Sequence, residues 1–223
     1  MNDTIYEPIR NKNKNMKNLN LKRYTLFVLL FIAANMSSAQ SPDKKVEKGE
    51  LAVAYFASGC FWCVEAIYEH VKGVEEAVSG YSGGHTTNPT YKSTGTGTTG
   101  HAETVAVYYD PNVVTFQSLV EVYFGTQDPT TFGQNPDFGS AYRSVVFYQN
   151  EKEKQTVEMM FTTLNNEVYH KKMVTEIKEF EHFYIAEDYH QDFERLHPNQ
   201  GYIRAVSIPR LNRFKKAFPV LLK

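Results

Sequence analysis

The order of apolar and polar positions predicts alternating strands and helices from residue 51 onward. An unbroken apolar run at 51–57 predicts a buried strand, and apolar residues at helical spacing follow it at 61–70. Period-two alternation at 101–109 predicts a strand whose two faces carry different side chains. The other predicted elements are strands at 74–79, 143–148 and 175–178 and helices at 116–124, 151–165, 187–196 and 210–218.

The order strand-helix-strand-strand-helix-strand is that of the split βαβ, or ferredoxin-like, unit. We therefore expect an α/β fold of the α+β kind, a two-layer ferredoxin-like sandwich with a mixed sheet and long irregular segments. One such segment, 82–100, is dense in Gly, Thr and Ser. Long loops inside compact domains are usually functional or disordered, and Tyr91 within this one favours a functional role.

The N-terminal segment has the features of an export signal. Basic residues between positions 17 and 23 precede an apolar segment at 24–34, and small residues follow at 37–39. This arrangement predicts a secretory signal peptide over residues 1–39. The apolar segment is short for a membrane span, and an uncleaved signal anchor is the alternative interpretation.

The signal prediction sets the expected domain organisation. Met16 is an alternative start that would shorten the region before the apolar segment. Residues 40–50 are polar and charged and are interpreted as a linker, which leaves one folded domain at 51–223. We expect a periplasmic or extracellular monomer without stable membrane association after signal cleavage.

The charge balance argues against a polyanionic partner. The formal net charge is −1, and Arg210 to Lys216 is the one short basic stretch of the folded part. That stretch is better explained as the solvated face of a C-terminal helix than as a nucleic-acid site. We therefore expect no nucleic-acid partner.

Cys60 and Cys63 are the only cysteines of the chain. A structural zinc site needs about four ligands, and a disulfide framework uses more cysteines at wider spacing. Cys60 follows a predicted strand and the flexible Ser58-Gly59 pair, at the start of a predicted helix, where backbone N–H groups and the helix dipole lower a thiol pKa. The sequence therefore favours redox or nucleophilic work, with two inert buried cysteines as the alternative.

The surrounding residues form a family signature. Gly59-Cys60-Phe61-Trp62, followed by Glu65, resembles the active-site motif of the type A peptide methionine sulfoxide reductases. The resemblance spans nearly all of the chain from residue 51. It continues through Gly80-Tyr81-Ser82-Gly83-Gly84, Asn88-Pro89-Thr90-Tyr91, Gly100-His101-Ala102-Glu103, Tyr109-Asp110-Pro111, Asp128-Pro129, Asp137 with Tyr142-Arg143-Ser144, and Tyr184-Ile185-Ala186-Glu187-Asp188-Tyr189-His190-Gln191.

The resemblance implies thiol-dependent reduction of methionine-S-sulfoxide, free or in proteins, as repair of oxidative damage. It implies that Cys60 is the nucleophile and becomes a sulfenic acid as methionine is released. Glu103 is the implied general acid, because burial in an aromatic site would raise its pKa. Tyr91 and Tyr142 match the family tyrosines that donate hydrogen bonds to the sulfoxide oxygen.

The resemblance also implies the surroundings of the reacting atoms. Asp137 matches a family aspartate that makes polar contacts in the site, although a turn residue after a proline is the simpler interpretation. Phe61 and Trp62 are expected to form an apolar cage for the methyl group on sulfur, which ordinary core packing would also explain. Glu65 is expected to support the site or the first turns of the helix.

The chain departs from many relatives in its C-terminal region. Those relatives carry resolving cysteines in a glycine-rich tail, whereas Gly201-Tyr202-Ile203-Arg204 here contains none. Cys63 is therefore the internal candidate for a disulfide with Cys60. Regeneration is expected from an external dithiol, a thioredoxin-like protein or a small thiol, with no bound cofactor and no metal.

Two other functions are considered. A thioredoxin-like dithiol oxidoreductase would explain the Cys60–Cys63 spacing but not Tyr91, Glu103 and Tyr142. A non-catalytic exported module that binds methionine-rich segments in an aromatic pocket is the second. Insulin-disulfide reduction without sulfoxide reduction would favour the first, and binding without turnover would favour the second.

Overall fold

The predicted strands form a mixed sheet in the computed structural model, which describes residues 41–223. The strands in this part of the chain are β1 (Ala52–Ala57), β2 (Val74–Ser82), β3 (Ala102–Tyr109), β4 (Gly133–Gln134), β5 (Asp137–Phe138), β6 (Val145–Tyr148), β7 (Glu176–Glu179) and β8 (Phe183–Ile185). The six-stranded sheet has the order β7-β6-β1-β3-β2-β8, and β4 pairs with β5 in a separate ribbon.

Helices are present where the apolar spacing predicts them at 61–70, 116–124, 151–165 and 210–218, and further short helices occur elsewhere. The α-helices are α1 (Pro42–Glu47), α2 (Phe61–Glu69), α3 (Tyr91–Gly95), α4 (Phe116–Gly125), α5 (Glu151–Glu167), α6 (Phe193–Leu196) and α7 (Ile208–Ala217). Short 3₁₀ turns occupy Ser140–Tyr142, Asp188–His190 and Pro219–Leu221, and a π-helical turn at Ile203–Ser207 leads into α7. Within residues 41–223, no helix is both long and apolar enough to cross a membrane.

The central four strands confirm the ferredoxin-like prediction. They lie in the order β6-β1-β3-β2, and every neighbouring pair among them is antiparallel. This is the strand arrangement of the split βαβ unit. The parallel pairing of β6 with β7 makes the complete sheet mixed, as expected.

Strand β3 lies inside the sheet and all eight of its residues are buried. Val105 and Val107 pack into the larger core beneath the helices, whereas Ala106 and Tyr108 pack into a second apolar cluster on the other face. The predicted alternation is therefore correct, but both faces are covered. The cover of the second face includes Val46 of α1, Phe180 and Phe183.

The segment predicted to be a linker contains a docked helix instead. Helix α1 places Asp43 so that its carboxylate accepts the Tyr108 hydroxyl at 2.7 Å. Lys45 forms an ion pair with Glu75 of β2. These contacts join α1 to strands that lie far away in sequence, and the polar composition of residues 40–50 gave no local sign of them.

Two further segments differ from the prediction. The single helix expected at 187–196 is divided into the 3₁₀ turn at Asp188–His190 and helix α6, because Asp192 between them has a φ of 56°, which breaks the helix. The irregular segment 82–100 contains α3, whose start is capped by the Thr90 hydroxyl. Strand β8, which precedes the divided helix, was not predicted.

Candidate active site

Cys60 lies at the N-cap of α2, where the sequence predicted it. Strand β1 ends at Ala57, and Gly59 adopts a φ of 76° to turn the chain into the helix. The Gly59 N–H donates to the carbonyl of Tyr142 at 3.0 Å, so the turn is fixed to the neighbouring 3₁₀ segment. The nucleophile candidate therefore occupies a rigid strand-to-helix junction.

The expected lowering of the Cys60 pKa is wrong for this resting arrangement. Burial raises the pKa of the thiol well above its usual value. Interactions with Cys63 and with the nearby Glu103 carboxyl raise this pKa further. The backbone N–H of Phe61, the first of the helix, donates to Glu103 rather than to the sulfur. The rise in the Cys60 pKa on burial outweighs the lowering expected from the helix N-terminus, and Cys60 is a neutral thiol before substrate binds.

Cys63 lies one turn further along the same helix, and both cysteines are free and buried. The neighbouring Cys60 thiol lowers the pKa of Cys63 against the opposing effect of burial, and the nearby Arg210 guanidinium lowers it further. The Cys63 sulfur lies 3.8 Å from the Tyr202 hydroxyl. The pair thus holds unequal thiols, with Cys63 the more acidic.

Glu103 projects from β3 into the helix start and is 3% exposed. Its carboxyl accepts the Phe61 N–H at 3.0 Å. Burial raises the pKa of Glu103 to about 8, more than the hydrogen bond from Phe61 lowers it. The group is therefore a neutral carboxylic acid at pH 7, as its expected role in proton donation requires.

Tyr91 and Tyr142 meet beside that acid. Tyr91 begins α3 and Tyr142 ends the 3₁₀ turn before β6, and each phenol shifts the pKa of the other. Burial raises the pKa of both phenols, and Glu103 raises both further. Two neutral O–H groups therefore stand next to a protonated carboxyl.

Asp137, on the β4–β5 ribbon, accepts a hydrogen bond from the hydroxyl of Tyr202. Burial raises the pKa of Asp137, and the hydrogen bond opposes that effect. Tyr202 was not among the predicted site residues. Its hydroxyl joins Asp137 to the Cys63 sulfur, so the segment after residue 200 closes one side of the site.

Phe61 and Trp62 lie in an aromatic cluster. Phe61 is 1% exposed and its ring packs against Tyr91 and His190, with ring centroids 6.3 and 4.9 Å apart. Trp62 is stacked on Phe193 with ring centroids 3.8 Å apart. The cluster supplies apolar surface beside Cys60, and Phe193 and His190 are members that the sequence did not indicate.

A cavity of about 490 Å³ opens onto both thiols. Its lining includes Asp137, Tyr202 and Arg210 together with the two cysteines. Arg210 is buried and donates to the Ser58 carbonyl at 2.9 Å. A positive charge therefore lines the same cavity as the two thiols.

Within residues 41–223, one cluster of acidic side chains has ligand atoms close enough together to hold a metal ion. It consists of Glu65, Glu69 and Asp192. Glu65 accepts hydrogen bonds from the Ser79 hydroxyl and the Asp192 backbone N–H, and burial raises its pKa to about 8. A protonated carboxyl engaged in this way is a poor ligand for a cation. Glu65 therefore acts as a structural link between α2, β2 and the start of α6, in keeping with its expected supporting role.

The site residues predicted from the sequence lie close together in the structure. Cys60, Cys63, Glu103, Tyr91, Tyr142 and Asp137 all surround the start of α2, although they come from five separate segments. The residues that sequence reasoning missed are Tyr202, Phe193 and His190. His190 lies in a motif that carried the family resemblance, but neither composition nor spacing gave it a role.

Comparison with known proteins gives concordant matches. A model of the family described as peptide methionine sulfoxide reductase matches residues 52–220. The peptide methionine sulfoxide reductase MsrA of Saccharolobus solfataricus is 44% identical over 174 residues, covering 78% of this chain and 98% of the relative. The MsrA of Acinetobacter baumannii is 44% identical over 171 residues, covering 76% of this chain and 98% of the relative.

Solved structures match as well. Methionine sulfoxide reductase A of Corynebacterium diphtheriae superposes with a TM-score of 0.65 at 31% identity, over 68% of this chain and 77% of that one. Mxr1 from Saccharomyces cerevisiae in reduced form superposes with a TM-score of 0.62 at 28% identity, over 68% of this chain and 88% of that one.

Proposed function

The chain belongs to the peptide methionine sulfoxide reductase family, and from this premise we propose the roles of its site residues. The protein is a peptide-methionine (S)-S-oxide reductase that uses thiols to return methionine sulfoxide to methionine. The observation that carries the assignment of roles is the neutral Glu103 carboxyl beside the Cys60 thiol at the start of one helix.

In the first step, Cys60 attacks the sulfoxide while Glu103 protonates the sulfoxide oxygen. The oxygen ends on the Cys60 sulfur, so that Cys60–SH and the sulfoxide become Cys60–SOH and the thioether. The cysteine sulfur loses two electrons and the sulfoxide sulfur gains them. The proton of the Cys60 thiol, released on attack, returns the Glu103 carboxylate to its acid form, so no net proton is consumed.

Tyr91 and Tyr142 hold the sulfoxide oxygen. A phenol is protonated at neutral pH, and the raised pKa values keep both hydroxyls so in the buried site. Each hydroxyl therefore has an O–H to donate to the sulfoxide oxygen. The aromatic surface of Phe61 and Trp62 receives the methyl group, and Asp137 with Tyr202 borders the site on the Cys63 side.

In the second step, Cys63 attacks the Cys60 sulfenic acid. A Cys60–Cys63 disulfide forms and water leaves, with the proton of the departing oxygen supplied from the site. The Cys60 thiol that lowers the pKa of Cys63 in the resting enzyme is consumed in the first step, but the Arg210 guanidinium lowers it too and still favours the Cys63 thiolate, which is the attacking form. In this proposal Cys60 is the nucleophile for the sulfoxide and Cys63 is the resolving thiol.

An external dithiol then regenerates the enzyme. We propose a thioredoxin-like protein or a small thiol as this reductant, and no bound cofactor enters the cycle. The cavity that reaches both cysteines gives such a partner access to the disulfide. The rival assignment as a general dithiol oxidoreductase is not favoured, because it leaves the buried Glu103 and the two tyrosines unused.

We also propose that the protein is exported and works as a monomer. Residues 1–39, which lie outside the described part of the chain, have the pattern of a cleaved signal peptide, and helix α1 of the folded domain begins at Pro42, just after the expected cleavage site. N-terminal sequencing of the mature protein from the periplasmic or secreted fraction tests this. A first residue at Gln40 or Ser41 supports cleavage, and intact chains in the membrane fraction contradict it.

The decisive test of the proposed roles is reduction of a resolved methionine sulfoxide epimer with dithiothreitol. Wild type should reduce the S epimer and leave the R epimer untouched, because separate enzymes serve the two. Cys60→Ser is the matched control for nucleophilic chemistry. Insulin-disulfide reduction by the wild type in the absence of sulfoxide reduction would overturn the assignment.

A further inference from the structure

A single carboxylate links the two ends of the aromatic site. The Glu187 Oε1 atom accepts the backbone N–H of Tyr91 at 3.0 Å, and its Oε2 atom accepts the hydroxyl of Tyr81 at 2.8 Å. Burial opposes the charge of Glu187, but these donors and the nearby His190 lower its pKa below the usual value. Glu187 is therefore a fixed negative charge at neutral pH.

The same carboxylate faces a buried histidine. His190 is 1% exposed, and its Nδ1 atom accepts the indole N–H of Trp62 at 3.2 Å. An indole N–H can only donate, so Nδ1 carries a lone pair and the ring proton lies on Nε2. Among the described residues the Nε2 atom has no hydrogen-bond partner, and it lies 3.8 Å from Glu187 Oε2.

This arrangement selects one orientation of the ring. Moving the ring proton to Nδ1 would set an N–H against the Trp62 N–H and turn a lone pair toward the carboxylate. Rotating the imidazole by 180° would replace the Nδ1 acceptor with the Cδ2–H and turn the Nε2–H away from Glu187. The charge of Glu187 disfavours both changes, because it attracts the Nε2 proton across the short gap. The imidazole is thereby held as an acceptor for Trp62.

The turn that carries both groups is itself anchored. Glu187 and His190 are three residues apart, so the 3₁₀ turn between them brings both side chains to one side. Gln191 then binds Ser79 of β2 twice, accepting its N–H at 2.9 Å and donating to its carbonyl at 3.0 Å. The segment is therefore built to hold these two side chains in place.

We propose that Glu187 is a positioning residue for sulfoxide reduction, which holds Tyr91 at the oxygen end of the site and, through His190, Trp62 at the methyl end. The inference rests on the proposed roles of Tyr91 and Trp62. The Tyr91 N–H is one of the unpaired groups at the start of α3, so anchoring it fixes where that short helix begins and where the phenol projects. One side chain thus couples the two contacts that orient the substrate.

The test is Glu187→Gln, because glutamine keeps an acceptor for the Tyr91 N–H and removes the charge that faces His190. Trp62 is the only tryptophan, so its fluorescence reports this site alone. We expect faster acrylamide quenching of Trp62 and a loss of about 10- to 100-fold in kcat/KM, the scale of a small misplacement of site groups. Asp188→Asn is the matched control, since it removes one charge from the exposed neighbour and should change neither value.

A second variant tests whether Glu187 acts through His190. His190→Phe keeps an aromatic ring at this position and removes the nitrogen that accepts the Trp62 N–H. In this background Glu187→Gln should add no further change in the acrylamide quenching of Trp62. Fully additive effects on Trp62 would overturn the coupling. Wild-type values of both quenching and kcat/KM in Glu187→Gln would overturn the proposal.

A measurement on the unmodified protein covers the case in which these variants do not fold. Nitrogen-15 chemical shifts of His190 should show an unprotonated Nδ1 and a protonated Nε2, and the opposite tautomer would overturn the proposal. Failure of the proposed function would look different. The wild type would then fail to reduce methionine sulfoxide while its Trp62 fluorescence still responded to Glu187→Gln.

Discussion

The backbone N–H of Phe61 donates to the Glu103 carboxyl at 3.0 Å. One helix start therefore fixes the acid and presents Cys60, the residue just before Phe61, to the same sulfoxide group. The distance between nucleophile and proton donor is set by main-chain geometry rather than by two flexible side chains. Such preorganisation is what makes acid catalysis effective in a buried site.

Cys60→Ser should abolish methionine sulfoxide reduction. A serine hydroxyl at this position is neither ionised nor able to accept oxygen from the sulfoxide. The measurement is methionine release with excess dithiothreitol. Residual turnover above the rate without enzyme would show that Cys60 is not the nucleophile.

Glu103→Gln should slow the sulfoxide step by about 10²- to 10⁴-fold, as expected for loss of a general acid. Glutamine has nearly the same size, so the fold should survive, which circular dichroism checks. The measurement is single-turnover methionine release at pH 7. An unchanged rate would identify another proton source.

The same acid predicts the pH dependence of the sulfoxide step. The acid form of Glu103 dominates below its pKa of about 8, so the single-turnover rate should fall as the pH rises through that value. The Cys60 pKa is also raised, so ionisation of the resting thiol should not mask this decrease at lower pH. In Glu103→Gln the decrease near pH 8 should be absent, and its persistence there would assign it to another group.

Tyr91→Phe and Tyr142→Phe should each reduce kcat/KM moderately, and the double variant should lose more than either. Both phenols lie near the Glu103 carboxyl, so either hydroxyl can hold the sulfoxide oxygen when the other is absent. Steady-state kinetics with the S epimer measures the three variants side by side. Equal values for the double variant and wild type would remove both phenols from the mechanism.

Cys63→Ser should still release about one equivalent of methionine in a single turnover, since the first step needs only Cys60. It should then stall with a protein dithiol, whereas small thiols should support some turnover. Thiol titration after one round of substrate gives the check, because wild type should lose both free thiols. A Cys63 thiol that stays free in wild type, with normal recycling of Cys63→Ser, would make Cys63 a packing residue.

The pattern of apolar residues predicted those elements whose formation depends mainly on residues close in sequence. The apolar run of β1, the flexible glycine and the helical spacing of α2 together placed Cys60 at a helix start, and the structure confirms it. The ferredoxin-like order of the central strands follows from the same succession of elements. These features depend on neighbours in sequence.

The features that could not be predicted depend on contacts between distant segments. The Trp62–His190 hydrogen bond joins residues 128 positions apart, and the Asp43–Tyr108 bond that docks α1 spans 65. The break at Asp192 is supported by the buried Glu65, 127 positions earlier. The Cys60 pKa was misjudged for the same reason, because its burial is a property of the assembled fold.

Placing both thiols in the first turn of α2 has a consequence for the far end of the chain. Leu222 forms an isolated β-bridge with Val71, and the Lys223 N–H donates to the His70 carbonyl at 3.1 Å. Residues 222 and 223 are therefore bound to the C-terminal end of the same helix. Formation of the Cys60–Cys63 disulfide takes place at the opposite end of α2 and leaves these contacts in place. Amide hydrogen exchange of the C-terminal segment should therefore be the same in the dithiol and disulfide states.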